Sequence, residues 1–185
     1  MYKNLFVLLD SQLDKERIVL AIEGGSASGK TTLAELLRER YNATVFHTDD
    51  FFLQPHQRTP ERLNEVGGNL DRERFLNEVL FPLKEGREVA YRKFDCSTMS
   101  LCDPEKITPK NLVIIEGAYS MHPDLREFYD FSVFLDIDKD LQKERVLKRN
   151  PDRAQRFFEE WIPLEDRYFS QLQIKENCDM VIDIR

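Results

Sequence analysis

Read from its amino end, the chain alternates short apolar runs with longer stretches of helical period. Ile18–Glu23 (IVLAIE) is a continuous apolar run that closes on an acid and two glycines, the pattern of a central parallel strand covered on both faces. Lys30–Tyr41 (KTTLAELLRERY) then brings Leu33, Leu36 and Leu37 to one face of a helix. Thr44–Thr48, Asn111–Ile115, Phe131–Ile137 and Met180–Ile184 read as four further strands. Between them the spacing predicts three helical stretches: one capped by Asp71 and running to about Leu83, one opened by Asp138 or Lys139 and reaching Arg149, and a long one over Arg153–Glu176, bent at Pro163. Residues 1–14 predict an amphipathic helix with Leu5, Leu8, Leu9 and Leu13 together, packed on the domain or on a sister subunit. Strands joined by crossover helices place the chain in the α/β class. The expected architecture is a doubly wound parallel sheet flanked by helices, with its ligand crevice beyond the carboxyl ends of the strands.

Composition narrows the partners. A chain of 185 residues with 41% hydrophobic content supports one buried core, and no repeat or low-complexity tract divides it, so residues 1–185 read as a single domain. A net charge of -7 and a pI near 5.1 leave no basic stripe for DNA or RNA polymers. The longest apolar runs are a few residues, against roughly 20 for a membrane span, and no secretory signal pattern opens the chain. Cys96, Cys102 and Cys178 form an odd set without a CxxC pair, which reads as reduced thiols in a cytoplasmic protein.

The chemistry begins at GGSASGKT. Gly24, Gly29, Lys30 and Thr31 satisfy G-x-x-x-x-G-K-[ST], with Gly25, Ser26, Ala27 and Ser28 between them and Thr32 in the first helical turn. Glycines permit a tight turn whose N–H groups converge on phosphate oxygens at a helix start. Lys30 adds a charge on the β and γ phosphates, and the Thr31 hydroxyl reaches Mg²⁺. ATP with Mg²⁺ is the expected ligand; a glycine turn that merely caps a helix is the alternative. No N-K-x-D or D-x-x-G element is present, so a guanine-nucleotide switch is excluded. Asp49 and Asp50 leave a strand at the crevice edge, where one carboxylate can face the ligand and accept a proton from an attacking hydroxyl; a turn-capping pair is the plainer reading. Glu116 ends an apolar strand where a carboxylate would serve Mg²⁺ beside Thr31.

Taken together, GGSASGKTTLAELL, HTDDFF, GGNLDRERF, YRKFD, VIIEGAYS and FLDIDKDLQKERVLKRN resemble the uridine kinase-like group of P-loop kinases, in order and spacing, over roughly Ile18 to Ile184. That group includes uridine-cytidine, nicotinamide riboside, pantothenate and phosphoribulokinases. The resemblance implies a kinase fold with a small helical lid at about residues 145–156. It places the hydroxyl-activating base on Asp49, with Asp50 a structural neighbour. A sugar-hydroxyl contact falls on Asp71, for which a helix cap is the equal alternative. Tyr91 and Asp95 match the segment that closes over the acceptor, and Arg145, Arg149 and Arg153 match the lid arginines. The histidine expected beyond Tyr91 is missing; the chain reads Cys96-Ser97-Thr98-Met99 instead. The implied activity is ATP-dependent phosphorylation of a small-molecule hydroxyl, foremost the 5′-hydroxyl of uridine or cytidine. A nicotinamide riboside or other vitamin-precursor kinase is one alternative and a non-catalytic ATP-binding regulator another. A homo-oligomer is expected, and Phe157, Phe158, Trp161, Leu164, Tyr168 and Phe169 read as core or interface.

Overall fold

A computed structural model describes residues 1–185. After helix α1 (Lys3–Asp10) the apolar runs become strands β1 (Ile18–Gly24), β2 (Thr44–His47) and, much later, β7 (Leu112–Glu116), β8 (Phe131–Ile137) and β9 (Met180–Ile184). They pair in parallel in the order β2-β7-β1-β8-β9. Every residue of β1 and β7 is buried, as expected of strands covered on both faces. Alternation sorts their side chains: Val19, Ala21, Val113 and Ile115 enter one apolar cluster, while Ile18, Leu20, Ile22, Leu112 and Ile114 enter the other.

Helix α2 (Lys30–Tyr41) and α1 cover the second of these faces through Leu33, Ala34, Leu37, Leu5 and Leu9. Leu36, expected on that buried face, is instead 41% exposed, and Ala34 takes its place. The opposite face is covered by helical turns after β2. After the short helix α3 (Pro60–Asn64), which buries no side chain, these are α4 (Arg72–Phe75), a π-turn over Leu76–Leu80, and α5 (Phe81–Lys84). Two small antiparallel ribbons follow, β3 (Val89–Tyr91) with β6 (Glu105–Ile107) and β4 (Phe94–Asp95) with β5 (Ser100–Leu101).

Beyond β8, α6 (Lys139–Arg149) opens on Asp138, whose carboxylate accepts from the N–H groups of Asp140 and Leu141. A 3₁₀ turn (Pro151–Arg153) links it to α7 (Ala154–Arg156), a π-turn (Phe157–Trp161) and α8 (Ile162–Gln171). The expected long helix therefore ends at Gln171, short of Glu176, and Pro163 sits in the first turn of α8 directly after the π-turn. That turn removes the need for an N–H there. No helix is long and apolar enough to cross a membrane.

Candidate active site

The carboxyl ends of β1, β2 and β7 meet because their register aligns Ile22 and His47 on either side of Glu116. Directly after β1 the chain turns through Gly24–Gly29 into α2. Gly29 has φ 103 and Ala27 has φ 62, the left-handed values that curl backbone amides toward a common centre. The N–H groups of Ala27 and Gly29 find no protein acceptor, and those of Lys30, Thr31 and Thr32 open a helix whose first turn has none to offer. Lys30 folds over the loop, donating to the Gly24 carbonyl at 2.8 Å and the Gly25 carbonyl at 3.1 Å, with no carboxylate partner. A convergent set of free amides with an unneutralised ammonium is the donor set a polyphosphate requires.

Thr31 Oγ1 donates to Glu116 Oε1 at 3.1 Å, and His47 Nδ1 lies 2.6 Å from the same oxygen. That bond to Glu116 raises the His47 pKa above its ordinary value. Thr31 and Glu116 present two hard oxygen donors beside the cradle, which is the protein share that Mg²⁺ takes when phosphates supply more of its shell. No group of three or more His, Cys, Asp or Glu side chains is placed to hold a metal by itself.

Asp49 and Asp50 lie in a 3₁₀ turn (Thr48–Phe51), not in extended chain, yet their carboxylates still diverge. Asp49 faces the crevice, within the field of Lys30, Glu116 and His47. It keeps solvent-accessible surface, but the crevice walls crowd it, and this loss of bulk water raises its pKa, an effect that the remaining solvent partly screens. Asp50 turns toward Lys93 and the Tyr91 hydroxyl, with one carboxylate oxygen buried and unpartnered.

Asp71 is 1% exposed and acts as a helix cap, accepting from the Arg74 N–H at 3.1 Å and pairing with the Arg74 guanidinium at 3.3 Å. Arg74 in turn lies over the Phe51 ring and donates to the Asp50 carbonyl at 2.9 Å. Asp71 therefore reaches the Thr48–Phe51 turn through Arg74, and its own carboxylate is buried, as suits the helix-cap alternative. Tyr91 also departs from expectation. It is 3% exposed, stacked on Phe51 and in a T-shaped contact with Phe46, so its ring is core packing and is not presented to a base. Asp95 folds onto its own hairpin, accepting from the N–H and hydroxyl of Ser97.

Among the arginines expected in a lid, Arg145 reaches the loop, donating to the carbonyls of Ala27 and Ser28 at 3.1 and 3.3 Å. Arg149 is exposed and forms no ion pair; Arg153 is exposed too, with its charge felt at Cys96 beside Asp49. Four further residues at the site gave no sequence signal of their own. Glu23 is fully buried and accepts from Gly24 N, Met121 N and the Tyr168 hydroxyl. Glu165 and Gln142 hold Ser26. Tyr119 is buried with φ 74, a left-handed conformation that a tyrosine rarely adopts.

Residues 19–159 match the Phosphoribulokinase / Uridine kinase family. The chain belongs to that family. It is 29% identical over 171 residues to a uridine kinase of Macrococcus caseolyticus, covering 86% of this chain and 80% of that one. It is 25% identical to uridine kinase-like protein 3 of Arabidopsis thaliana over 71% of its own length, but spans only 30% of that relative and 31% of two others from the same plant. Among solved structures, a putative fructose transport system kinase from Silicibacter superposes with a TM-score of 0.78 at 22% identity, covering 98% of each chain. This likeness is one of fold.

Proposed function

We propose that this member of the phosphoribulokinase / uridine kinase family transfers the γ-phosphate of ATP to a hydroxyl of a small molecule, with the 5′-hydroxyl of a nucleoside such as uridine as the first acceptor to test. One observation carries the reading: the loop cradle with Lys30, the Thr31–Glu116 pair and the Asp49 carboxylate all open onto the same end of the sheet. Lys30 and the amides of Ala27, Gly29 and the first turn of α2 hold the β and γ phosphates. Thr31 and Glu116 would hold Mg²⁺, whose charge would offset that of the phosphates. Asp49 accepts the proton of the attacking hydroxyl at a carboxylate oxygen. Because phosphoryl transfer has a loose transition state, orienting that hydroxyl matters more than basicity, and a partly solvated aspartate suffices. Arg145 steadies the loop carbonyls, while Arg149 and Arg153, exposed and without ion pairs, supply guanidinium charge to the transferring group.

The uridine kinase relative supports a nucleoside acceptor. The buried Tyr91 ring removes one means of reading its base, so the panel must be wider than pyrimidines. The test is acceptor-dependent ADP release with uridine, cytidine, nicotinamide riboside and pantothenate. Stimulation by a nucleoside is expected; no stimulation by any acceptor sinks the kinase reading in favour of a nucleotide-binding regulator.

A further inference from the structure

The phosphate loop is gripped from outside at one residue. Ser26 donates its N–H to Glu165 Oε2 at 2.7 Å and its hydroxyl to Glu165 Oε1 at 2.6 Å, while its carbonyl accepts from Gln142 Nε2 at 2.9 Å. Every polar group of Ser26 is thereby occupied by side chains of α6 and α8, the two helices on either side of the Pro151–Arg153 turn. Glu165 is 6% exposed, so this is a built contact and not a surface ion pair. The grip also explains a glycine. A Cβ on Gly25 would lie 2.9 Å from Gln142 Nε2 and 3.7 Å from Glu165 Oε2.

One turn further along α8, the Tyr168 hydroxyl donates to Glu23 Oε2 at 3.0 Å, and the other Glu23 oxygen accepts from Gly24 N at 2.9 Å. Helix α8 thus anchors the loop at its root and at its outer limb, leaving the Ala27 and Gly29 amides without a protein acceptor. A carboxylate among those free amides would repel phosphate; on the amide of Ser26 it fixes the backbone that presents them.

We propose that Glu165 is a positioning residue for nucleotide binding, which orders the cradle through Ser26 and ties that order to the lid segment between α6 and α8. The inference rests on reading the loop as an ATP site. A loop ordered beforehand loses less conformational freedom on association, so the effect falls on nucleotide affinity and not on the acceptor.

The experiment is calorimetric titration of Mg·ADP into the wild type and the E165A, E165Q and S26A variants, with steady-state kinetics and melting curves on each. Two hydrogen bonds to a charged group are lost in E165A, so its Kd for Mg·ADP and KM for ATP should rise together by about ten- to a hundredfold, with the acceptor KM unmoved. E165Q keeps an oxygen for the Ser26 N–H and should recover most of that affinity. S26A removes the hydroxyl arm alone, giving a smaller loss that does not add fully to that of E165A. Should E165A fail to fold, S26A carries the test, and wild-type nucleotide affinity in S26A overturns the proposal. A folded E165A that binds as well as the wild type, or better, removes the proposal alone. A wild type that binds no Mg·ADP takes the ATP-site reading down with it.

Discussion

The Tyr91 ring lies 5.5 Å from Phe51 in a stacked pair and 5.6 Å from Phe46 edge-on, so its bulk fills core between β2 and the ribbon it belongs to. Tyr91→Ala should therefore cost about 3–5 kcal/mol, read as a lower urea midpoint. Tyr91→Phe should leave the acceptor KM unchanged; a raised KM would restore the hydroxyl to substrate recognition. Asp49 makes the opposite case, a side chain with little packing to lose. Asp49→Asn should preserve Mg·ADP binding while lowering transfer at least about a hundredfold, and unchanged turnover would remove it as the base. The sequence pointed to Lys30, Thr31 and Glu116 because each stands at a fixed offset from a strand end or a glycine, whereas Asp49 was told from Asp50 only by the family resemblance. It did not name Glu165, one of two adjacent acids on an amphipathic helix, because its partner lies 139 residues away and only the folded chain brings them together.

At the level of elements, the close approach of the turns that follow the paired strands β2 and β7 depends on Gly117. It has φ 138, and a Cβ there would lie 2.0 Å from Thr48 Oγ1, which donates to the Ala118 carbonyl at 3.0 Å. Gly117→Ala must push the Thr48 turn away from Glu116, so it should lower stability by about 1–3 kcal/mol and weaken Mg²⁺-dependent nucleotide binding at the same time. Loss of stability with intact binding would show that the turn and Glu116 are independent. The five strands of the main sheet were legible from apolar runs, since parallel central strands tolerate little else. The ribbons β3–β6 and β4–β5 were not, because strands of two or three residues carry no period. The π-turns before α5 and α8 were equally silent, for they widen a helix without changing which residues suit it.

Over the whole molecule, the two apolar clusters enclose a sheet that buries one carboxyl group completely at the root of the phosphate loop. Burial pushes the Glu23 pKa up from 4.5 to about 7, against the hydrogen bonds from Met121, Gly24 and Tyr168 that favour its ionised form. A folded-state value above the unfolded one means that this contribution to stability is full below about pH 4.5 and is lost as pH rises through about 7. Comparing the wild type with Glu23→Gln isolates it. Whatever the substitution costs at pH 5, the wild type's advantage should shrink by about 2–3 kcal/mol by pH 8 in denaturant titrations. An advantage that grows with pH would contradict the sign. The strand order adds a consequence for how the chain matures. Since β7 inserts between β1 and β2, an amino-terminal portion that stops before Leu112 has the cradle and the aspartate turn but not the strand that sets them side by side. The site is thus assembled only once β7 is in place, and a bound nucleotide lends its free energy to molecules that have reached that stage, setting them apart from less assembled ones wherever proteases compete for the chain.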